Sequence, residues 1–328
     1  MSVFEETCKA ITPKNIAIGD AVKRTWDGVA MYGNYGKLVD MTAQYAMATN
    51  QSLEDNTLHI PKRCMIIASA DHGVAEMGVS AYPQDVTVGM TQNYLIPKGA
   101  GANALANYCE ADMEVIDVGI AADMSWVPGL RHEKIAYGTK NFLKAPAMTK
   151  TQAIKAIEAG IELVNEKVKE GYNVFLVGEM GIANTTSSAV MTAKFAGITA
   201  DEATGRGTNI SDERLKVKQK VVHDALIKYA HIDKNDGLGI LQSVGGFEFA
   251  CITGVILGAA AQHAMVVIDG FNTTVCALVA HAIVPESMDY VMASHLSAEK
   301  AHVRALKVLG LEAYVGLGLC LGEASGGS

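Results

Sequence analysis

The chain has 328 residues, 49% of them hydrophobic and 19% charged, enough for one large domain or two unequal ones around a sizeable core. That excludes a disordered tail, a collagen and a disulfide mini-protein. With 27 Lys+Arg against 35 Asp+Glu the formal charge is −8, which is unsuited to wrapping nucleic acid but leaves room to hold one phosphate through a few local donors.

The first 60 residues read as polar and helical, a small helical domain or cap over 1–60 ahead of a large α/β domain over 61–328. The opening Met1–Glu6 is acidic and lacks the basic region of a secretory signal, so the expectation is a cytoplasmic protein. The six cysteines, Cys8, Cys64, Cys109, Cys251, Cys276 and Cys320, form no C-x-x-C pair and read as reduced thiols packed as small hydrophobes.

Five short apolar runs follow: Cys64–Ser69, Glu114–Val118, Asn173–Val177, Met265–Asp269 and, more weakly, Tyr290–Ala293. They do not alternate polar with apolar, the pattern of strands buried on both faces of a parallel sheet. Between them, Thr151–Glu170 carries Ile154, Ile157, Ile161, Val164 and Val168 on one helical stripe, and Gly171 supplies a stop. The longest apolar stretch, Phe249–Ala261, is 13 residues and reads as a buried helix, short of the roughly 18 a membrane span needs. The rhythm predicts a three-layer α/β fold with a mostly parallel, Rossmann-like sheet. A smaller helical domain comes from the N-terminal segment, with the C-terminal segment left open as a contributor.

Such sheets bind ligands beyond the carboxyl ends of their strands. Those positions hold Asp71-His72-Gly73, Gly178-Glu179-Met180-Gly181 and Asp269-Gly270-Phe271. Asp71-His72 suits either a metal or, more commonly, a structural hydrogen-bonding pair. No H-E-x-x-H and no G-x-S-x-G is present. Gly99–Ala104 fits G-x-G-x-x-A, but what precedes it reads as a helix end and turn, so it is a Gly-rich helix start rather than a dinucleotide fingerprint. After Gly178–Gly181 comes Asn184-Thr185-Thr186-Ser187-Ser188, either ordinary N-capping or a set of donors aimed at an anion. Thr204–Asn209, followed by Lys216, Lys218 and Lys220, reads alone as a flexible loop and a solvated basic face. Near the end, Glu323 sits among apolar and Gly residues, which reads alone as a frayed acidic C-terminus, the alternative being a carboxyl of raised pKa suited to a general base.

Read together, eight segments are similar to those of the nicotinate-nucleotide:dimethylbenzimidazole phosphoribosyltransferases of cobamide biosynthesis. They are Ala70–Val74, Gly78–Gln84, Asp117–Gly119, Gly178–Ile182 with Asn184–Thr186, Val244–Gly246, Asp269–Phe271, Ser294–Glu299 and Leu321–Glu323, in the family's order over roughly residues 60 to 328. The resemblance implies transfer of the phosphoribosyl group of nicotinate mononucleotide to an aromatic lower-ligand base, with no metal and no cofactor. It implies a proton-accepting role for Glu323, a second active-site carboxylate in Glu179 and a phosphate-binding lysine in Lys218. It places Gly181, Asn184, Thr185, Thr186, Gly207, Asp269, Ser294 and Ser297 on the phosphate and nucleotide side. It places Ser80, Tyr82 and Gln84 around the acceptor base.

Three departures stand beside it. Ala30–Leu38 lacks the prolines and serine of the family's Lys-Pro-Pro-Gly-Ser-Leu-Gly, although Gly33 and Gly36 remain. Ala183 and Ala324 stand where glycine is usual, and the family normally continues past the final Gly-Glu segment with a helical tail, whereas this sequence stops at Ser328. Some relatives act on phenol or p-cresol as heterodimers, so the acceptor, dimethylbenzimidazole or a phenol, and the partner, a second copy or a related subunit, stay open. The alternative is a non-catalytic subunit supporting an active partner. No nucleic acid or membrane partner is expected.

Overall fold

The structure is a computed structural model that describes residues 1–29, 35–319 and 321–328; the altered segment around Gly33 falls largely outside the described residues, as does Cys320. Helices α1 (Val3–Ala10), α2 (Ile16–Val29) and α3 (Lys37–Thr49) precede the first strand. The sheet is built from β1 (Arg63–Ala70), β2 (Ala111–Gly119), β3 (Arg131–His132), β4 (Val174–Met180), β5 (Met265–Ile268) and β6 (Val291–Ala293). Between β1 and β2 lie α4 (Asp85–Leu95) and α5 (Gly101–Tyr108), and between β3 and β4 lies α6 (Lys150–Lys169). Five helices separate β4 from β5: α7 (Asn184–Ala196), α8 (Ala200–Ala203), α9 (Asp212–Lys228), α10 (Gly237–Val244) and α11 (Phe247–Ala261). Helix α12 (Phe271–Ile283) joins β5 to β6, and α13 (His302–Leu309) follows.

All six strands are parallel in the order β3-β2-β1-β4-β5-β6, the doubly wound order whose direction of winding reverses between β1 and β4. The five sequence-predicted strands are all present; the sixth, β3, is two residues long and too short to leave a periodic signal. Every residue from Cys64 to Ala70 and from Val174 to Glu179 is buried, which is why these runs are apolar throughout. Helix α6 begins one residue earlier than its stripe predicts, because Thr149 and Gln152 form a reciprocal capping box. Helix α11 is buried on all sides between the sheet and α6, matching its unbroken apolar sequence.

The N-terminal helices divide their packing. Val22, Ala43 and Ala46 form a small cluster of their own between α2 and α3. Ile11, Tyr45 and Ala48 instead join the main core, and α1 lies against α6 and α11. Among the described residues no helix is long and apolar enough to cross a membrane. The five described cysteines are unpaired thiols, buried or half-buried.

Candidate active site

Beyond the carboxyl ends of β4, β5 and β6 the chain encloses a cavity of about 830 Å³, within the range of pockets that hold small ligands. Its walls come from the turn after β4, the loop 204–209, the turn after β5, the loop 295–300 and the terminal segment around Glu323. The crevice beyond β1 and β4 is occupied differently. There His72, almost wholly buried, places Nε2 2.5 Å from Glu248 Oε1 and Nδ1 3.0 Å from Ser187 Oγ. Asp71 accepts the Ala121 amide at 2.8 Å. The Asp71-His72 pair is thus internal bracing, and among the described residues no cluster suited to a metal is found. Gly99–Ala104 opens α5 and is preceded by helix α4, so the strand a dinucleotide fingerprint requires is absent there.

Glu179 is the penultimate residue of β4 and is buried. Its carboxyl accepts from Asn184 Nδ2 and, at 3.0 Å, from Asn272 Nδ2. Burial pushes its pKa up to about 8; the Asn272 and Asn184 amides oppose the rise, while the nearby Glu248 and Asp269 carboxylates add to it. Helix α7 then starts at Asn184 with Ala183 as its N-cap, in left-handed backbone at φ 76° and with no side-chain cap. The Asn and Thr side chains of this segment are therefore not spent on ordinary capping: Asn184 turns to Glu179, and Thr185 Oγ1 accepts from Lys218 Nζ at 2.8 Å.

Lys218 is 1% exposed, whereas its neighbours Lys216 and Lys220 face solvent. Its position on α9 shares a face with buried Val221, Val222 and Ala225, which turns it inward. Burial lowers its pKa to about 8, with the Glu299 charge pulling the other way. Gly207, at φ +53°, packs its backbone on this pair: a Cβ there would sit 2.6 Å from Thr185 Oγ1 and 3.1 Å from Lys218 Nζ. The Gly207 amide donates to Glu299 Oε1 at 2.8 Å. The loop that reads as a solvated charge run is thus a cavity wall, because one lysine of three folds inward beneath it.

Glu323 also lines the cavity, 7% exposed, with φ at 60° and Ala324 at 62°. Burial raises its pKa, and the Tyr94 hydroxyl, which approaches without meeting hydrogen-bond geometry, acts against the rise. Two close approaches bring this segment in. Gly178 of β4 leaves room for the Glu323–Ala324 backbone: a Cβ there would be 2.4 Å from Ala324 N. A Cβ on Gly322 would be 3.3 Å from Glu179 Oε1, so the terminal segment and the Glu179 carboxyl adjoin.

Of the sequence-derived site residues, Glu179, Gly181, Asn184, Thr185, Gly207, Asp269, Ser297, Ser80 and Glu323 all line this one cavity, with the Lys218 ammonium directly behind Thr185. Among the described residues Ser297 Oγ has no hydrogen-bond partner. Ser80 Oγ faces Thr208 Oγ1 at 3.4 Å. Four others lie off the wall. Thr186 is fully buried, and Ser294 Oγ donates to the Ile268 and Asp269 carbonyls at 2.7 and 3.1 Å. The Tyr82 ring is 55% exposed, and Gln84 Nε2 donates to the His72 carbonyl at 3.4 Å. Sequence reasoning missed Asn272 and Glu299. Asn272 directly follows Asp269-Gly270-Phe271 and Glu299 closes the Ser294–Glu299 segment, so position was available but no role was assigned.

A family model described as "Phosphoribosyltransferase" matches residues 11–328. The nicotinate-nucleotide–dimethylbenzimidazole phosphoribosyltransferases of Chloroflexus aggregans and Geobacter metallireducens are 38% and 40% identical over 327 residues, covering 99% of this chain and 91% of each relative. The crystal structure of CobT from Thermus thermophilus superposes with a TM-score of 0.84 at 33% identity, covering 94% of this chain and 91% of that one.

Proposed function

The chain belongs to the nicotinate-nucleotide–dimethylbenzimidazole phosphoribosyltransferase family, and from that premise we propose that it moves the 5-phosphoribosyl group of nicotinate mononucleotide to an aromatic lower-ligand base, dimethylbenzimidazole first among them. What carries the reading is one cavity lined by three buried carboxyl groups with raised pKa values, Glu179, Asp269 and Glu323, and backed at a helix N-terminus by the buried Lys218 ammonium. Perturbed groups converging in one cleft are the physical signature of a site tuned for proton and charge management.

The phosphate sits against Lys218, Thr185 and the α7 N-terminus, where an ammonium, a hydroxyl and the helix dipole all favour an anion. Holding it there fixes the ribose, so that C1′ faces the acceptor and the attack becomes effectively intramolecular. The acceptor nitrogen bonds to C1′ as the glycosidic bond breaks, and nicotinate leaves with the bonding pair, its pyridinium charge neutralised. Inversion gives the α-riboside phosphate. Glu323 takes the proton that the acceptor loses; a carboxyl with a pKa above its ordinary value is a better base near neutrality. Glu179, held by Asn184 and Asn272, lies beside the sugar and orients it; with its pKa raised to about 8 the carboxyl is largely protonated near neutrality and acts as a hydrogen-bonding group rather than as a charge.

Nicotinate release from nicotinate mononucleotide by the purified chain tests this, with dimethylbenzimidazole, adenine, phenol and p-cresol offered in parallel. Release with dimethylbenzimidazole is the expected result, and release only with a phenol would reassign the acceptor. No release with any acceptor, alone or with a related subunit, would refute the transferase reading.

A further inference from the structure

The segment bearing Glu323 is held by one carboxylate. Asp269, the first residue after β5 and 2% exposed, accepts the Gly326 amide on Oδ1 at 2.6 Å. The same oxygen lies 3.4 Å from His295 Nδ1, itself buried. The amides of Ala324 and Ser325 also act on the Asp269 carboxyl. Gly326 packs so closely that a Cβ there would be 1.7 Å from His295 Nδ1. Within the turn, Ser325 N donates to the Gly322 carbonyl at 3.0 Å and Gly327 N to the Ala324 carbonyl at 3.1 Å. Glu323 and Ala324 are consecutive non-glycine residues in left-handed backbone, a conformation that persists only when its surroundings over-determine it. Asp269 and His295 on one side, and the β4 backbone at Gly178 on the other, supply that constraint.

We infer that Asp269 is a positioning residue for Glu323: with His295 it fastens the 322–327 turn at Gly326 and so holds the Glu323 carboxyl on the cavity wall. The inference rests on the reading of Glu323 as proton acceptor, and it assigns the Asp269 carboxylate to the protein backbone rather than to the nucleotide.

Two variants test it, with hydrogen exchange of the 321–328 peptide, calorimetric binding of nicotinate mononucleotide and acceptor-dependent kcat as readouts. Asp269→Ala removes the anchor. Gly326→Ala, which lies outside the cavity lining, forces the turn away from His295. Both should speed amide exchange in the peptide by about tenfold or more. Both should lower kcat by about 10- to 100-fold with nicotinate mononucleotide affinity nearly unchanged. Asp269→Asn, which keeps an acceptor oxygen, should recover part of the protection and part of kcat. Unchanged exchange in both variants, or weakened nucleotide binding with kcat intact, would overturn the inference. A wild type inactive with every acceptor, alone and with a related subunit, would refute the transferase reading instead, while the exchange comparison would still decide whether Asp269 fastens the turn.

Discussion

Replacing Lys218 by methionine should separate stability from function. The ammonium is buried and bonded to Thr185 Oγ1 at 2.8 Å, and among the described residues no carboxylate forms an ion pair with it. Its pKa falls from 10.5 to about 8 on folding, mainly through burial. That difference corresponds to on the order of 3 kcal/mol borne by the charged form. Between about pH 8 and 10.5 the unfolded chain keeps a proton the folded chain has released, so stability rises with pH there and the full cost is present below it. Methionine fills the same channel without the charge. The ligand-free variant should therefore melt no lower than the wild type at pH 7. Binding should move the opposite way. One charge-assisted hydrogen bond to phosphate is worth about 1.5–3 kcal/mol, so nicotinate mononucleotide should bind roughly 10- to 150-fold more weakly. Thermal melts with and without nicotinate mononucleotide, and calorimetry on the same samples, read both effects. The wild type should gain Tm on adding ligand by mass action, and the variant should not at the same concentration. A variant that melts several degrees lower yet binds with unchanged affinity would make Lys218 a structural cation and refute the reasoning.

Three further outcomes follow from the same geometry. Glu323→Gln should keep the fold and nucleotide affinity while kcat falls about 10²- to 10⁴-fold, the usual worth of a positioned proton acceptor; unchanged kcat/KM would remove Glu323 from the reaction. Glu179 is raised from 4.5 to about 8 in the folded state, so it contributes stability below about pH 4.5 that is lost as pH climbs through 8. Melting curves of the wild type and Glu179→Gln across that window should show the wild type losing Tm relative to the variant as pH rises, and parallel curves would contradict the assignment. Gly178→Ala places a Cβ 2.4 Å from Ala324 N and 2.6 Å from Glu323 C, both backbone atoms that cannot rotate away. Overpacking of this kind costs about 1–3 kcal/mol, and displacement of the turn should lower kcat together with Tm; a fully active variant would show that the turn tolerates the shift.

The relation between sequence and structure differs from residue to residue. The strands were legible because a parallel sheet buried on both faces demands unbroken apolar runs, and Cys64–Ser69 and Asn173–Val177 are such runs. Helix α6 was legible from its stripe and from Gly171. The segments that meet at the cavity were also marked, because Gly178–Gly181, Asp269–Phe271 and Leu321–Glu323 combine acids with glycines where strands or the chain end bring backbone close.

Other features had no local signal. Nothing in the alternation of Lys216, Lys218 and Lys220 says which one turns inward; that depends on which face of α9 meets α7. Ser80 and Tyr82 look equivalent in sequence, yet one lines the cavity and the other projects into solvent. His72 adjoins a strand end that the fold rule marks for ligands, but Glu248, 176 residues away, closes over it. Nor does the sequence around Asp269 show that the terminal turn docks on its carboxylate through Gly326, 57 residues on. By itself the sequence determined which stretches must be buried, which turn types its glycines permit and which acids and cations were available, because burial and backbone conformation are written in local residue patterns. Only the tertiary structure decided which of those charged groups lost their water and which met one another, since desolvation and pairing arise from contacts between segments far apart in the chain.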